Sequence, residues 1–77
     1  QEAIMRVKKA ETSQNLTDRE IITLQYLAKG YENKEIADTI FVSTHTVKAH
    51  VSAILRKLNA RNRTHAVYIA MKLKIID

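Results

Sequence analysis

One glycine and no proline among 77 residues leave this chain few ways to reverse a strand. Hairpins draw on Gly, Pro and Asn at their turns, so a chain punctuated this sparsely is expected to be helical. No cysteine is present either. Neither a disulfide nor a thiolate metal site can therefore hold the domain together. A domain of this size buries only about 60% of the surface its unfolded chain exposes. Its core has to come from well-packed helices, and the predicted class is all-α.

The helix signals can be placed along the chain. Residues 1–15 carry only a thin apolar stripe and read as a linker or the tail of an interdomain segment; residues 16–77 read as the domain. Thr17-Asp18-Arg19-Glu20 is a capping-box sequence, in which a Thr hydroxyl and a Glu carboxylate satisfy each other's backbone N–H. Glu20, Leu24 and Leu27, with Thr23 beside them, follow at helical spacing. Gly30 is a natural stop. Asn33 is the predicted cap of a short second helix ending at Ile40, with Ile36, Ala37 and Ile40 inward. Ser43 is the predicted cap of a third helix reaching about Leu58, whose apolar stripe is Val47, Val51, Ile54, Leu55 and Leu58. Asn59 is its expected stop. Asn62 is the predicted cap of a fourth helix, with Ala66, Val67, Ala70 and Leu73 inward.

Charge divides the chain in two. Residues 1–38 carry six basic and seven acidic side chains, whereas residues 39–76 carry seven basic side chains and no acid. A basic half on a small domain points to a polyanionic partner. No apolar run is long enough for a membrane span and no signal peptide is visible. Together with the lack of Cys, this predicts a cytoplasmic protein without a membrane partner.

The second and third helices are joined by only Phe41, Val42 and Ser43, which makes them a helix-turn-helix candidate. Ala37 is small where the two would cross, and Ile40, Val42 and Val47 would set their angle. The third helix is then the recognition helix, with its apolar stripe on the domain and its other face in a major groove. That other face holds His45, Lys48, Ala49, Ser52 and Arg56. Lys48 can donate to guanine, Ala49 can lie against a thymine methyl, and Ser52 can donate or accept. Ser43, Thr44 and Thr46 at the helix start can meet a phosphate. His50 suits packing or a phosphate contact.

Several blocks together resemble a known family. Leu16-Thr-Asp-Arg-Glu20, Ala28-Lys-Gly30, Asn33-Lys-Glu-Ile-Ala37, Ser43-Thr-His-Thr-Val-Lys48, His50-Val51, Lys57-Leu58 and Arg63-Thr-His-Ala-Val67 look like the LuxR-type DNA-binding domain. That domain is the effector half of NarL-type response regulators, and it also occurs in quorum-sensing regulators behind a ligand-binding domain. The resemblance covers residues 16–77. It implies a third helix that reads the major groove, with Lys48, Ala49 and Ser52 facing bases and Lys34, Thr44 and Thr46 near the backbone. It also implies a fourth helix that supports dimerisation, a weak homodimer formed mainly on DNA, and an upstream receiver or ligand-sensing domain. On that fourth helix the inward stripe leaves Ile69 on or near the outer face, between His65 and Lys72 at helical spacing. Thr23 departs from the family by standing where an aliphatic residue is usual, and Ile22 by standing where a polar one is. Either a rotated first helix or a contact made by Ile22 would follow. Phe41 occupies a turn position where a small or polar residue is common. A bulky residue at positive φ is strained, so a turn that differs in detail is expected.

Other functions have little to stand on. His45, His50 and His65 lack metal-ligand spacing, and no phosphate loop or activated nucleophile is visible. Neither an enzyme nor a cofactor is expected. Two alternatives to a response-regulator output domain stay open: the DNA-binding region of a sigma factor, and a basic helical module that binds an acidic protein. The helix over Arg63–Ile76 argues against the first.

Overall fold

A computed structural model describes residues 16–77; the expected linker at 1–15 lies outside them. Four helices follow one another: α1 (Asp18–Ala28), α2 (Asn33–Ile40), α3 (Thr44–Leu58) and α4 (Arg63–Lys72). Each begins at a local polar device. Thr17 Oγ1 accepts the Glu20 N–H at 3.1 Å while Glu20 Oε1 accepts the Thr17 N–H at 3.0 Å. Ser43 Oγ accepts the Thr46 N–H at 3.0 Å, and Asn62 Oδ1 accepts the His65 N–H at 2.8 Å. The cap of α2 differs from expectation. Glu32, with extended backbone, is the capping residue and Asn33 is the first helical one. Glu35 supplies the reason, because its carboxylate takes the Glu32 N–H at 2.8 Å.

All four helices end in one geometry built from different residues. Gly30 (φ 87°), Phe41 (φ 61°), Asn59 (φ 54°) and Lys74 (φ 60°) each turn the chain through the left-handed region. The next residue's N–H then reaches back five positions: Tyr31 to Tyr26, Val42 to Ala37, Ala60 to Leu55 and Ile75 to Ala70, at 2.8–3.0 Å. Tyr31, Val42, Ala60 and Ile75 are also all apolar and packed against the core. This pairing of a backbone bond with an apolar contact is how such helix ends are held. Only Gly30 takes the conformation without steric cost. The turn at Phe41 therefore keeps the left-handed geometry and accepts the strain; no alternative turn replaces it.

The core lies around α3. Helices α1, α2 and α4 all pack on it, and α1 also packs on α4. Val47, Val51, Ile54 and Leu58 are buried along its inner side, with Leu24, Leu27, Ile36, Ala37, Ala66 and Ala70 facing them. Fully burying such an aliphatic side chain stabilises by about 1.5–3 kcal/mol. Thr23 is fully buried, so α1 turns this position into the core. Its hydroxyl donates to the Arg19 carbonyl at 2.8 Å, which satisfies the polar atom within the helix and leaves the methyl for packing. Ile22 is half-buried.

The C-terminus corrects two expectations. Leu73 is half-exposed, whereas Ile76 is buried. Periodicity carried one residue too far: α4 ends at Lys72, Leu73 caps it, and the reversal at Lys74 delivers Ile75 and Ile76 to the core instead. Ile69 sits deeper than its expected place on or near the outer face. It is half-buried and packs against the core cluster.

Candidate nucleic-acid interface

Helix α3 is set by α2 and α1. Ala37 and Ile36 of α2 are buried against it, and Val47 is fully buried on the α3 side. Arg19 of α1 adds a hold that sequence reasoning missed, since its Nη1 donates to the Ile40 carbonyl at 3.4 Å. That carbonyl is one of the acceptors left over where α2 ends. At the other end of α3, Lys57 Nζ meets Glu20 Oε1 at 2.9 Å. Glu20 is buried, and burial alone would raise its carboxyl pKa. The Lys57 hydrogen bond, the Thr17 N–H and the charges of Lys57 and His50 outweigh burial and hold it below its usual value of 4.5. One acid thus caps α1 and anchors the far end of α3.

The inner side of α3 being occupied, its other side faces solvent. His45, Lys48, Ala49, Ser52 and Arg56 are all exposed, and their spacing places them along one face. Ser43 and Thr44 are exposed at the start of the helix, with Thr46 and His50 half-buried. The Thr46 hydroxyl sits 2.9 Å from Ser43 Oγ, so it belongs to the local cap network. Lys34 is exposed, but it lies at the start of α2, at the end away from the turn. The expected sites therefore divide into a continuous face on α3, a polar cluster at the beginning of α3, and one lysine set apart.

Among the described residues the Glu20–Lys57 contact is the only ion pair. Lys34, Lys48, Arg56, Arg61 and Arg63 therefore carry charge that no carboxylate of the domain neutralises. No buried side-chain donor or acceptor is left unpaired among the described residues, so no polar atom of the core waits on this face for a partner. Chemically it offers cations and hydroxyl donors on a convex helix, suited to a groove with anionic walls.

On α4, of the side chains expected at a dimer contact, Lys72 is exposed while His65 and Ile69 are half-buried. His65 Nδ1 accepts the Arg61 N–H at 3.0 Å, and Lys72 Nζ lies 5.8 Å from the centre of the Tyr68 ring. The exposed apolar side chains there are Tyr68, Met71 and Leu73. Periodicity did not single them out because the inward stripe had been carried onto Leu73.

Comparison with known proteins agrees with this architecture. Residues 14–75 match the family described as bacterial regulatory proteins, luxR family. The oxygen regulatory protein NreC of Staphylococcus carnosus is 47% identical over 62 residues, which is 80% of this chain and 29% of NreC. The response regulator protein VraR of Staphylococcus aureus is 46% identical over 70 residues, 91% of this chain and 34% of VraR. The crystal structure of the response regulator ChrA of a heme-sensing two-component system superposes with a TM-score of 0.77 at 41% identity, covering 79% of this chain and 30% of ChrA. The chain thus spans about a third of the length of these relatives. With a family match over nearly all the described residues and the helix-turn-helix in place, the chain belongs to the luxR family of bacterial regulatory proteins and is a LuxR-type DNA-binding domain.

Proposed function

We propose that this domain is the output part of a two-component response regulator and reads duplex DNA by laying α3 in the major groove. Lys48, Ala49 and Ser52 face base edges. Ser43, Thr44, Thr46, His50, Arg56 and Lys34 serve the backbone. The observation that carries this reading is the exposed face of α3, free of carboxylate partners and presented by a helix whose other side is fully committed to the core. The relatives named as response regulators are about three times as long as this chain. That length accommodates an upstream receiver domain, and the work is done in the cytoplasm.

Assembly on DNA is a weak homodimer through α4. Its contact is assigned to the exposed Tyr68 and Met71, with Lys72 and His65 beside them and Leu73 at the edge. Two copies about a two-fold axis would present the same patch to each other, spaced by half-sites about one helical turn apart. Tyr68→Glu is expected to abolish cooperative binding to a paired site while sparing a single half-site. Undiminished cooperativity would place the contact elsewhere.

DNA binding itself is tested by mobility shift with random-sequence duplex at low salt, followed by a salt series. Binding with a log–log slope of about −0.9 per phosphate neutralised is expected. Absence of binding at low salt would favour an acidic protein partner instead.

A further inference from the structure

The bodies of α2 and α4 are not a packed pair, yet their first residues are joined. Arg63 Nη2 donates to Asn33 Oδ1 at 3.2 Å across 30 positions of sequence. Arg63 is exposed and Asn33 half-buried, so the bond lies at the surface. Surface polar contacts of this kind add little to stability. What the bond does is order a long, rotamer-rich side chain. It holds the guanidinium beside the residue preceding Lys34.

Three observations say what an ordered Arg63 is suited for. Its fork has five N–H donors and spends one on Asn33. No carboxylate pairs with it among the described residues; the nearby Glu35 carboxylate is turned onto the Glu32 N–H. It also follows the charged face of α3 along the chain. Arg56 lies near the end of that helix, Arg61 and Arg63 follow directly across the short connection to α4, and the whole stretch 39–76 contains no acid. A pre-ordered, unneutralised guanidinium matches the bidentate geometry of phosphate oxygens.

We propose that Arg63, oriented by Asn33 and flanked by Lys34, binds the phosphate backbone of duplex DNA beyond the C-terminal end of α3. Ser43, Thr44 and Thr46 lie at the opposite end of that helix, so α3 is tied to the backbone at both ends. Phosphate contacts carry no sequence information but fix register and orientation. Two separated ties therefore set how Lys48, Ala49 and Ser52 meet the bases. Asn33 acts through Arg63 and is a positioning residue. This inference rests on the reading that the outward face of α3 enters the groove.

The test is a salt series on the 77-residue chain with both a random duplex and a selected specific duplex. Arg63→Gln is expected to reduce the magnitude of the log–log slope by about 0.9, so that roughly 3.5-fold less affinity is lost between about 50 and about 200 mM salt. Specific and random duplexes should weaken by the same factor. Arg63→Lys is expected to keep the parent slope while binding more weakly, because the charge remains and the fork is gone. Asn33→Ala should weaken binding in the parent and do nothing further in Arg63→Gln. A purely structural Asn33 would act equally in both backgrounds. Circular dichroism confirms the fold of each variant. If Arg63→Gln keeps the parent slope while the parent itself shows a steep one, this inference is overturned and the groove reading stands. A flat slope in the parent overturns both.

Discussion

The two sides of α3 lie on one helix and obey different constraints. Inward, Val47, Val51, Ile54 and Leu58 are buried among aliphatic neighbours, and each position is explained by packing. Outward, His45, Lys48, Ala49, Ser52 and Arg56 are exposed and meet no carboxylate of the domain. Removing an inner side chain opens a cavity, while removing an outer one leaves every contact of the fold in place. The comparison separates what the helix needs in order to exist from what it can offer a partner. Substitutions on the two sides should therefore change different observables.

The largest effect is expected on the inner side. Ile54 is fully buried, and Ile54→Ala should cost about 2–5 kcal/mol. For a domain this small, that is a large share of total stability. Urea unfolding measures it; a loss below about 1 kcal/mol would mean that the core closes over the gap.

Next comes the anchor at the end of α3. Glu20→Gln keeps an acceptor for the Thr17 N–H but loses the charge opposite Lys57. It should cost about 2 kcal/mol at neutral pH, in the range of a charge-assisted hydrogen bond. The pH dependence has a definite sign. The folded-state pKa of Glu20 lies below 4.5, so its contribution is fully present above that value and is lost as pH falls through the folded-state pKa. Stability measured down a pH series should fall there in the parent more steeply than in Glu20→Gln. Parallel curves would show that the carboxylate is not coupled to folding.

The smallest effect concerns the turn. Phe41 is 91% exposed and sits at φ 61°, so its side chain adds little to the fold while its backbone is strained. Phe41→Gly removes a left-handed penalty of about 1–2 kcal/mol and adds unfolded-chain entropy of about 0.4–1 kcal/mol. A net gain of about 0.5–1 kcal/mol is expected in urea unfolding. A loss would mean that the ring makes a contact the fold needs.

Much of this architecture was legible because it is local. The capping box of Thr17 and Glu20, the caps at Ser43 and Asn62 and the stops at Gly30 and Asn59 depend on residues no more than five apart. The two sides of α3 follow from a single period. What escaped was set by distant residues or by one local signal overriding another. Asn33 resembles a cap, but its amide oxygen is taken by Arg63 while Glu35 secures the Glu32 N–H. The left-handed ends at Phe41 and Lys74 carry no glycine signal, because burial of the following Val42 and Ile75 drives them. Leu73 continued the period of α4 correctly, but the helix had already ended. Of the interface, the face of α3 could be read directly. The holds placed by Arg19 and Lys57 could not, since nothing in the sequence pairs them with Ile40 and Glu20.

The central claim is that the outer side of α3 reads DNA without serving the fold, and Lys48 tests it most directly. Affinities of the parent and Lys48→Ala are measured at one salt concentration for a duplex selected from a random pool and for a shuffled duplex, alongside the urea midpoints of both proteins. The account predicts a loss of about 1–3 kcal/mol on the selected duplex, a distinctly smaller loss on the shuffled one, and an unchanged midpoint. Equal losses on both duplexes would make Lys48 a phosphate contact, and a lowered midpoint would make it part of the fold; either result contradicts the account.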